Sequence, residues 1–114
     1  KEYSIKGDLK ALKKVFLNIF LNSIQSFPKG EGEIEVSFEK KDEKCSIEIS
    51  DNGCGIPKDF IEKYLFKPFK TTKKDGLGIG LYQCKTIINA HKGSLDIKSD
   101  ERFGTKFIIN LPCQ

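Results

Sequence analysis

The order of apolar and polar positions divides the chain into helical and extended stretches. From Leu9 to Phe27 the residues Leu9, Leu12, Val15, Phe16, Ile19, Phe20, Ser23, Ile24 and Phe27 recur at intervals of three and four, the period of one helix face. Asp8 stands where an N-cap belongs, and Pro28-Lys29-Gly30 stops the pattern. Glu33 to Lys40 alternates, with Ile34, Val36 and Phe38 on one side, and Cys45 to Ser50 repeats the alternation with Ile47 and Ile49. Lys41-Asp42-Glu43 lies between them as a turn, which predicts an antiparallel hairpin. After a stretch with no apolar period, Ile79, Tyr82, Ile87, Ile88 and His91 predict a second long helix from Gly78, with Gly93 as its C-terminal stop. Leu95 and Ile97, then Phe107, Ile109 and Leu111, predict two more strands joined around Arg102-Phe103-Gly104. A weak alternation over Lys1 to Lys6 reads as a short edge strand, and Pro57 opens a short helix over Lys58 to Tyr64.

Each strand is apolar on one side only, so the sheet has one buried face covered by helices. That is a two-layer α/β sandwich with much antiparallel pairing, α+β in class. The 114 residues suit one domain, and the 38% hydrophobic and 32% charged fractions are those of a soluble globular chain. No apolar run reaches the length of a membrane span, and the start shows no signal-peptide pattern. Beginning directly on a strand, the chain reads as a domain of a longer protein. The net charge of +4 favours anionic partners mildly. Its lysines are scattered and no arginine stripe alternates with aromatics, which argues against nucleic acid as a partner. Four cysteines without C-x-x-C spacing argue against a zinc site and for a reduced, cytoplasmic setting.

Three stretches carry candidate chemistry. Gly76-Leu77-Gly78-Ile79-Gly80-Leu81 follows a lysine-rich loop and opens a helix, where close backbone N–H groups and the helix dipole suit an anion. A tight loop that merely starts a helix has the same spacing. Asn18 and Asn22 lie one turn apart beside the apolar stripe of the first helix. Facing inward, such a pair implies a polar ligand or a metal; at the helix flank it is simply solvated. Asp51 ends the second strand and is followed by Gly53 and Gly55, as either a turn cap or a ligand-binding carboxylate.

Taken in order, Asn18-x-x-x-Asn22, Asp51-x-Gly53-x-Gly55, Phe66-x-Pro68-Phe69, Gly76-x-Gly78-x-Gly80-Leu81 and Gly104-Thr105 resemble the motif series of the catalytic ATP-binding domain of sensor histidine kinases. That domain belongs to the superfamily of DNA gyrase, Hsp90 and MutL, and the resemblance spans essentially residues 1–114. It implies a Bergerat fold, a mixed sheet of about five strands covered on one face by about three helices, with Mg-ATP bound between helix layer and loop. By the same resemblance Asn22 would bind Mg²⁺ and Asn18 would support the phosphates. Asp51 would accept from the adenine amine, with Gly53, Gly55 and Ile56 against the base. Thr105 would reach the adenine end, although an ordinary strand threonine reads the same way. Thr71, Thr72 and Lys73 resemble a short basic lid over the phosphates, and Gly76, Leu77, Gly78, Ile79, Gly80 and Leu81 would cradle them. Phe66 and Phe69 would anchor the loop, and the segment from Lys70 to Asp75 is expected to be poorly ordered without nucleotide.

The implied reaction is transfer of the γ-phosphate to a histidine on a separate dimeric phosphoacceptor domain, with a response regulator downstream. Hydrolysing relatives carry a Glu four residues before the metal-binding Asn; this chain has Asn18 there, which predicts little hydrolysis. The single histidine, His91, lies near a helix end and reads as structural. The fragment is expected to be monomeric and its parent cytoplasmic or membrane-anchored. A regulatory module that binds nucleotide without phosphotransfer is the alternative, and a zinc site or a dinucleotide fold is disfavoured.

Overall fold

The computed structural model describes residues 7–25, 27, 31–55, 77–100 and 104–113. Helix α1 spans Leu9–Gln25. Asp8 caps it as expected: its Oδ1 accepts from the Ala11 N–H at 3.2 Å, and its carbonyl accepts from Leu12 at 2.9 Å. Val15, Ile19, Asn22 and Ser23 are buried, with Leu12, Phe16 and Phe20 packed partly against the core. The expected stripe runs off the core at its ends, where Leu9 and Ile24 are exposed.

Strands β1 (Ile34–Lys41) and β2 (Lys44–Asp51) form the predicted hairpin, closed by Asp42 in the left-handed region at φ 58°. Helix α2 (Leu77–Ala90) and strands β3 (Ser94–Asp100) and β4 (Gly104–Pro112) follow. Among the described residues the sheet order is β1-β2-β4-β3 and each of its ladders is antiparallel. Among the described residues there are four strands and two helices; the expected strand over 1–6 and helix over 58–64 lie outside them.

The last strand thus enters the middle of the sheet, and the register makes continuous apolar rows. Ile49, Phe107 and Ile97 stand side by side, and Ile47, Ile109 and Leu95 form the next row. Both helices pack on this face, α2 contributing Leu81, Cys84 and Ile88, all buried. Tyr82, expected in that stripe, is exposed, because the core-facing phase of α2 runs through Leu81 and Cys84 on either side of it. A second correction concerns β1. Val36 and Phe38 are in register with Ile49 and Ile47 on the helix-covered face, yet Phe38 is 63% exposed. Among the described elements α1 packs on β2 and α2 on β3, so the helix layer stops short of the edge strand.

The end of α2 departs from expectation in a specific way. Lys92, not Gly93, takes the left-handed conformation (φ 63°), and the Gly93 N–H returns to the Ile88 carbonyl at 3.0 Å while Lys92 N–H bonds Asn89. This is a Schellman closure with lysine in the position glycine usually fills. Gly93 is required for a different reason: a Cβ there would collide with the Asn110 carbonyl oxygen of β4.

His91 joins the two helices. Its Nδ1 lies 2.8 Å from the Ile87 carbonyl oxygen, which can only accept, so Nδ1 carries the hydrogen and Nε2 is left to accept from the Asp8 N–H at 3.0 Å. The ring is a strut between the end of α2 and the start of α1, in keeping with a structural role. His91→Ala removes both bonds and is expected to lower unfolding free energy by about 1–3 kcal/mol, at about 0.5–1.5 kcal/mol net for each, measured by urea titration. Among the described residues no helix is long and apolar enough to cross a membrane, and all four cysteines are free thiols.

Candidate functional site

Among the described residues, the end of β2 carries a buried, hydrogen-bonded carboxylate. Asp51 is only 5% exposed, at the last residue of a strand whose buried phase also holds Cys45, Ile47 and Ile49. The alternation that buries the isoleucines therefore also carries the carboxylate inward. Its Oδ1 accepts from the Gly53 N–H at 2.9 Å and from the Thr105 N–H at 3.3 Å. Asn52 faces the other way, its Oδ1 accepting from Glu33 at 2.8 Å and fastening the start of β1.

Thr105 lies directly opposite Asp51 in the β2–β4 ladder and is itself buried. Ser99 of β3 donates to the Gly104 carbonyl at 3.2 Å, and its Oγ stands 3.1 Å from Thr105 Oγ1. With the Ser99 hydrogen committed to Gly104, the Thr105 hydroxyl is the donor of that pair. Gly104 starts β4 at φ +101°, and a Cβ there would collide with the Asp51 carbonyl oxygen. Gly104→Ala is therefore expected to displace the strand end that holds Asp51, at about 1–3 kcal/mol in unfolding free energy, read by thermal unfolding.

A depression of about 250 Å³ opens at the same end of the sheet, lined by Ser50, Lys98 and Lys106 as well as Asp51, Ser99, Gly104 and Thr105. Ser50, Lys98 and Lys106 lie one residue out of phase with Asp51 and Thr105, so their side chains belong to the solvated sheet face. The depression therefore draws its lining from residues of both phases at this end of the sheet.

The second polar group joins the helices. Asn22 is 5% exposed, so the pair is not simply solvated at the helix flank, and Asn18, one turn earlier, is half-buried. Asn18 Nδ2 meets Cys84 Sγ of α2 at 3.8 Å, and that thiol in turn lies 3.6 Å from the Val15 carbonyl oxygen. Burial pushes the Cys84 thiol up to about 11, against the opposing pull of the Asn18 hydrogen bond and of Lys14, so it remains a neutral thiol at pH 7.

The glycine-rich stretch is helical from Leu77, so Leu77, Gly78, Ile79, Gly80 and Leu81 form the first turns of α2, one residue earlier than the periodicity predicts. The leading N–H groups of a helix lack intrahelical partners and suit phosphate oxygens. Leu81 itself is buried core. Gly53 and Gly55 follow Asp51 in the described turn. Ile56, Thr71, Thr72, Lys73 and Gly76, together with Phe66, Phe69 and the segment from Lys70 to Asp75, lie outside the described residues.

Three contributions escaped the sequence reading. Ser99 is one polar residue among several on β3, and only its pairing with Thr105 distinguishes it. Cys84 falls in the apolar phase of α2 and reads as core. Gly104 was visible as a motif glycine, but its collision with Asp51 depends on which strands are neighbours.

The donor set fits a magnesium nucleotide. A buried carboxylate suits a base amine, a buried carboxamide supplies the oxygen a hard cation takes, and a helix start receives phosphate. Residues 7–114 match the family described as histidine kinase-, DNA gyrase B-, and HSP90-like ATPase. The chain is 40% identical over 101 residues to sporulation kinase D of Bacillus subtilis (strain 168), covering 89% of this chain and 20% of the relative. It is 39% identical over 109 residues to the signal transduction histidine-protein kinase AtoS of Escherichia coli (strain K12), covering 95% of this chain and 18% of AtoS. It thus spans about a fifth of the length of these curated relatives. Among solved structures, the nucleotide-free catalytic domain of histidine kinase ThkA superposes with a TM-score of 0.81 at 32% identity, covering 95% of this chain and 70% of that one. The chain belongs to the histidine kinase-, DNA gyrase B-, and HSP90-like ATPase family, and within it to the catalytic ATP-binding domains of sensor histidine kinases.

Proposed function

We propose that residues 1–114 are one catalytic domain of a two-component sensor kinase, which binds Mg-ATP and donates the γ-phosphate to a histidine on a separate dimeric helical domain. The observation that carries this reading is the buried Asp51 carboxylate, held at a strand end by two backbone N–H groups and backed by Gly104 and Thr105. An acceptor there suits the exocyclic amine of adenine and opposes the carbonyl that guanine presents at the same place. Gly53, Gly55 and Ile56 would lie against the base, and Thr105 would serve its far edge.

Asn22 would hold Mg²⁺ through its carboxamide oxygen, with Asn18 beside it. Bound there, the ion neutralises charge on the oxygens of the transferring phosphoryl group. The N–H groups from Gly76 to Leu81 would receive the phosphates, and Thr71, Thr72 and Lys73 would close over them. Asn18 occupies the position where hydrolysing relatives carry a general base, so water is not activated and the nucleotide is presented to an acceptor instead. The parent's phosphoacceptor domain would supply that histidine, and a response regulator would take the phosphoryl group onward. ATP as substrate places the domain in the cytoplasm, as a monomer when separated from its parent.

The test is a calorimetric titration with ATP, with and without Mg²⁺ and with GTP as control, followed by addition of the acceptor domain in trans. ATP-selective binding altered by Mg²⁺, then label on the acceptor histidine, is the expected result. Binding without transfer makes the chain a regulatory nucleotide module. No binding at millimolar ATP removes the nucleotide reading altogether.

A further inference from the structure

Cys84 has no part in the site as proposed, yet it is fully buried on α2 and makes two hydrogen bonds to α1. The Val15 carbonyl can only accept, so the single thiol hydrogen is committed to it. The sulfur then has only acceptor capacity left for Asn18. A carboxamide next to such a sulfur must turn its nitrogen toward it, which is the arrangement observed, with Nδ2 at 3.8 Å. Nitrogen and oxygen diverge from the same planar Cγ, so holding Nδ2 on the thiol turns Oδ1 away from it.

We propose that Cys84 is a positioning residue, its thiol orienting the Asn18 carboxamide so that Oδ1 is presented to the magnesium side of the nucleotide. The inference rests on the Mg-ATP reading of this site. It changes the part Asn18 plays: with its nitrogen withheld on sulfur, Asn18 contributes oxygen beside Asn22 one turn on, instead of donating to phosphate. A hard cation and its bound waters favour such oxygens, so Cys84 governs the Mg²⁺-dependent share of nucleotide affinity and leaves the metal-free share alone.

The experiment compares the chain with Cys84→Ser, which keeps both donor and acceptor, and Cys84→Val, which fills the space with neither; Cys84→Ala repeats the comparison should valine fail to fit. Calorimetry gives ATP affinity with and without Mg²⁺, thermal unfolding reports the fold, and the Asn18 side-chain amide resonances are followed by NMR in the nucleotide-free chain. Cys84→Val is expected to weaken ATP binding in Mg²⁺ by about tenfold, the scale of one oriented hydrogen bond, with little change when Mg²⁺ is absent. Cys84→Ser should restore affinity to within about twofold by the same hydrogen-bond argument. Equal losses with and without Mg²⁺ would reduce Cys84 to packing and overturn the proposal. Unmoved Asn18 resonances in Cys84→Val would overturn it also, whether or not the chain takes ATP, so this failure is separable from failure of the nucleotide reading.

Discussion

Asp51→Asn should lower ATP affinity by about a hundredfold while leaving the unfolding midpoint nearly unchanged. The asymmetry follows from which atoms do what. Asparagine has the same shape, and its Oδ1 can still accept from the Gly53 and Thr105 N–H groups that hold Asp51. What is lost is the charge and one acceptor, replaced by an N–H that would face the adenine amine donor to donor. A hydrogen bond to a charged group is worth about 1.5–3 kcal/mol, and an opposed pair of donors adds desolvation cost to that loss. Calorimetry beside thermal unfolding separates the two effects. The ATP preference over GTP should narrow in the same variant, since guanine no longer meets a carboxylate. An affinity within about threefold of the parent, well under the value of one charge-assisted bond, would place the base elsewhere.

Phe107→Ala is expected to have the largest effect on stability. The ring is fully buried in β4, flanked in register by Ile49 and Ile97 beneath the two helices. Removing it costs lost transfer free energy and leaves a cavity, together about 3–5 kcal/mol. Domains of this size have a total margin of about 5–15 kcal/mol, so the variant should unfold at much lower urea. Phe38→Ala is the internal comparison. Its ring is 63% exposed on β1, and the expected change stays within about 0.5 kcal/mol. Comparable costs for the two phenylalanines would mean that the face of β1 is covered in solution and that the edge-strand description is wrong.

These two phenylalanines also show where reading a sequence stops. Phe38 and Phe107 both occupy the apolar phase of an alternating strand, and nothing local separates them. Among the described elements their difference arises from strand order: β4 inserts between β2 and β3, while β1 stays at the edge beyond the two helices. The end of α2 makes the same point, since a Lys-Gly pair announces a helix stop but not that lysine takes the left-handed turn. Gly93 is needed for an approach to β4 that is distant in sequence.

Periodicity and motif order were enough to determine both long helices, the hairpin, the two later strands, the Asp8 cap and the family. Each of these depends on residues within a few positions of one another, or on a linear order of short signatures, and local sterics and hydrophobic phase act over that range. Tertiary structure alone decided the rest: that Asp51 shares its Oδ1 with Thr105 more than fifty residues away, that Ser99 anchors the Thr105 hydroxyl, and that Cys84 of one helix takes the Asn18 nitrogen of the other. Such contacts are fixed by strand register and by how two helices settle on a sheet. Those are properties of the whole packed core, and no segment carries them on its own.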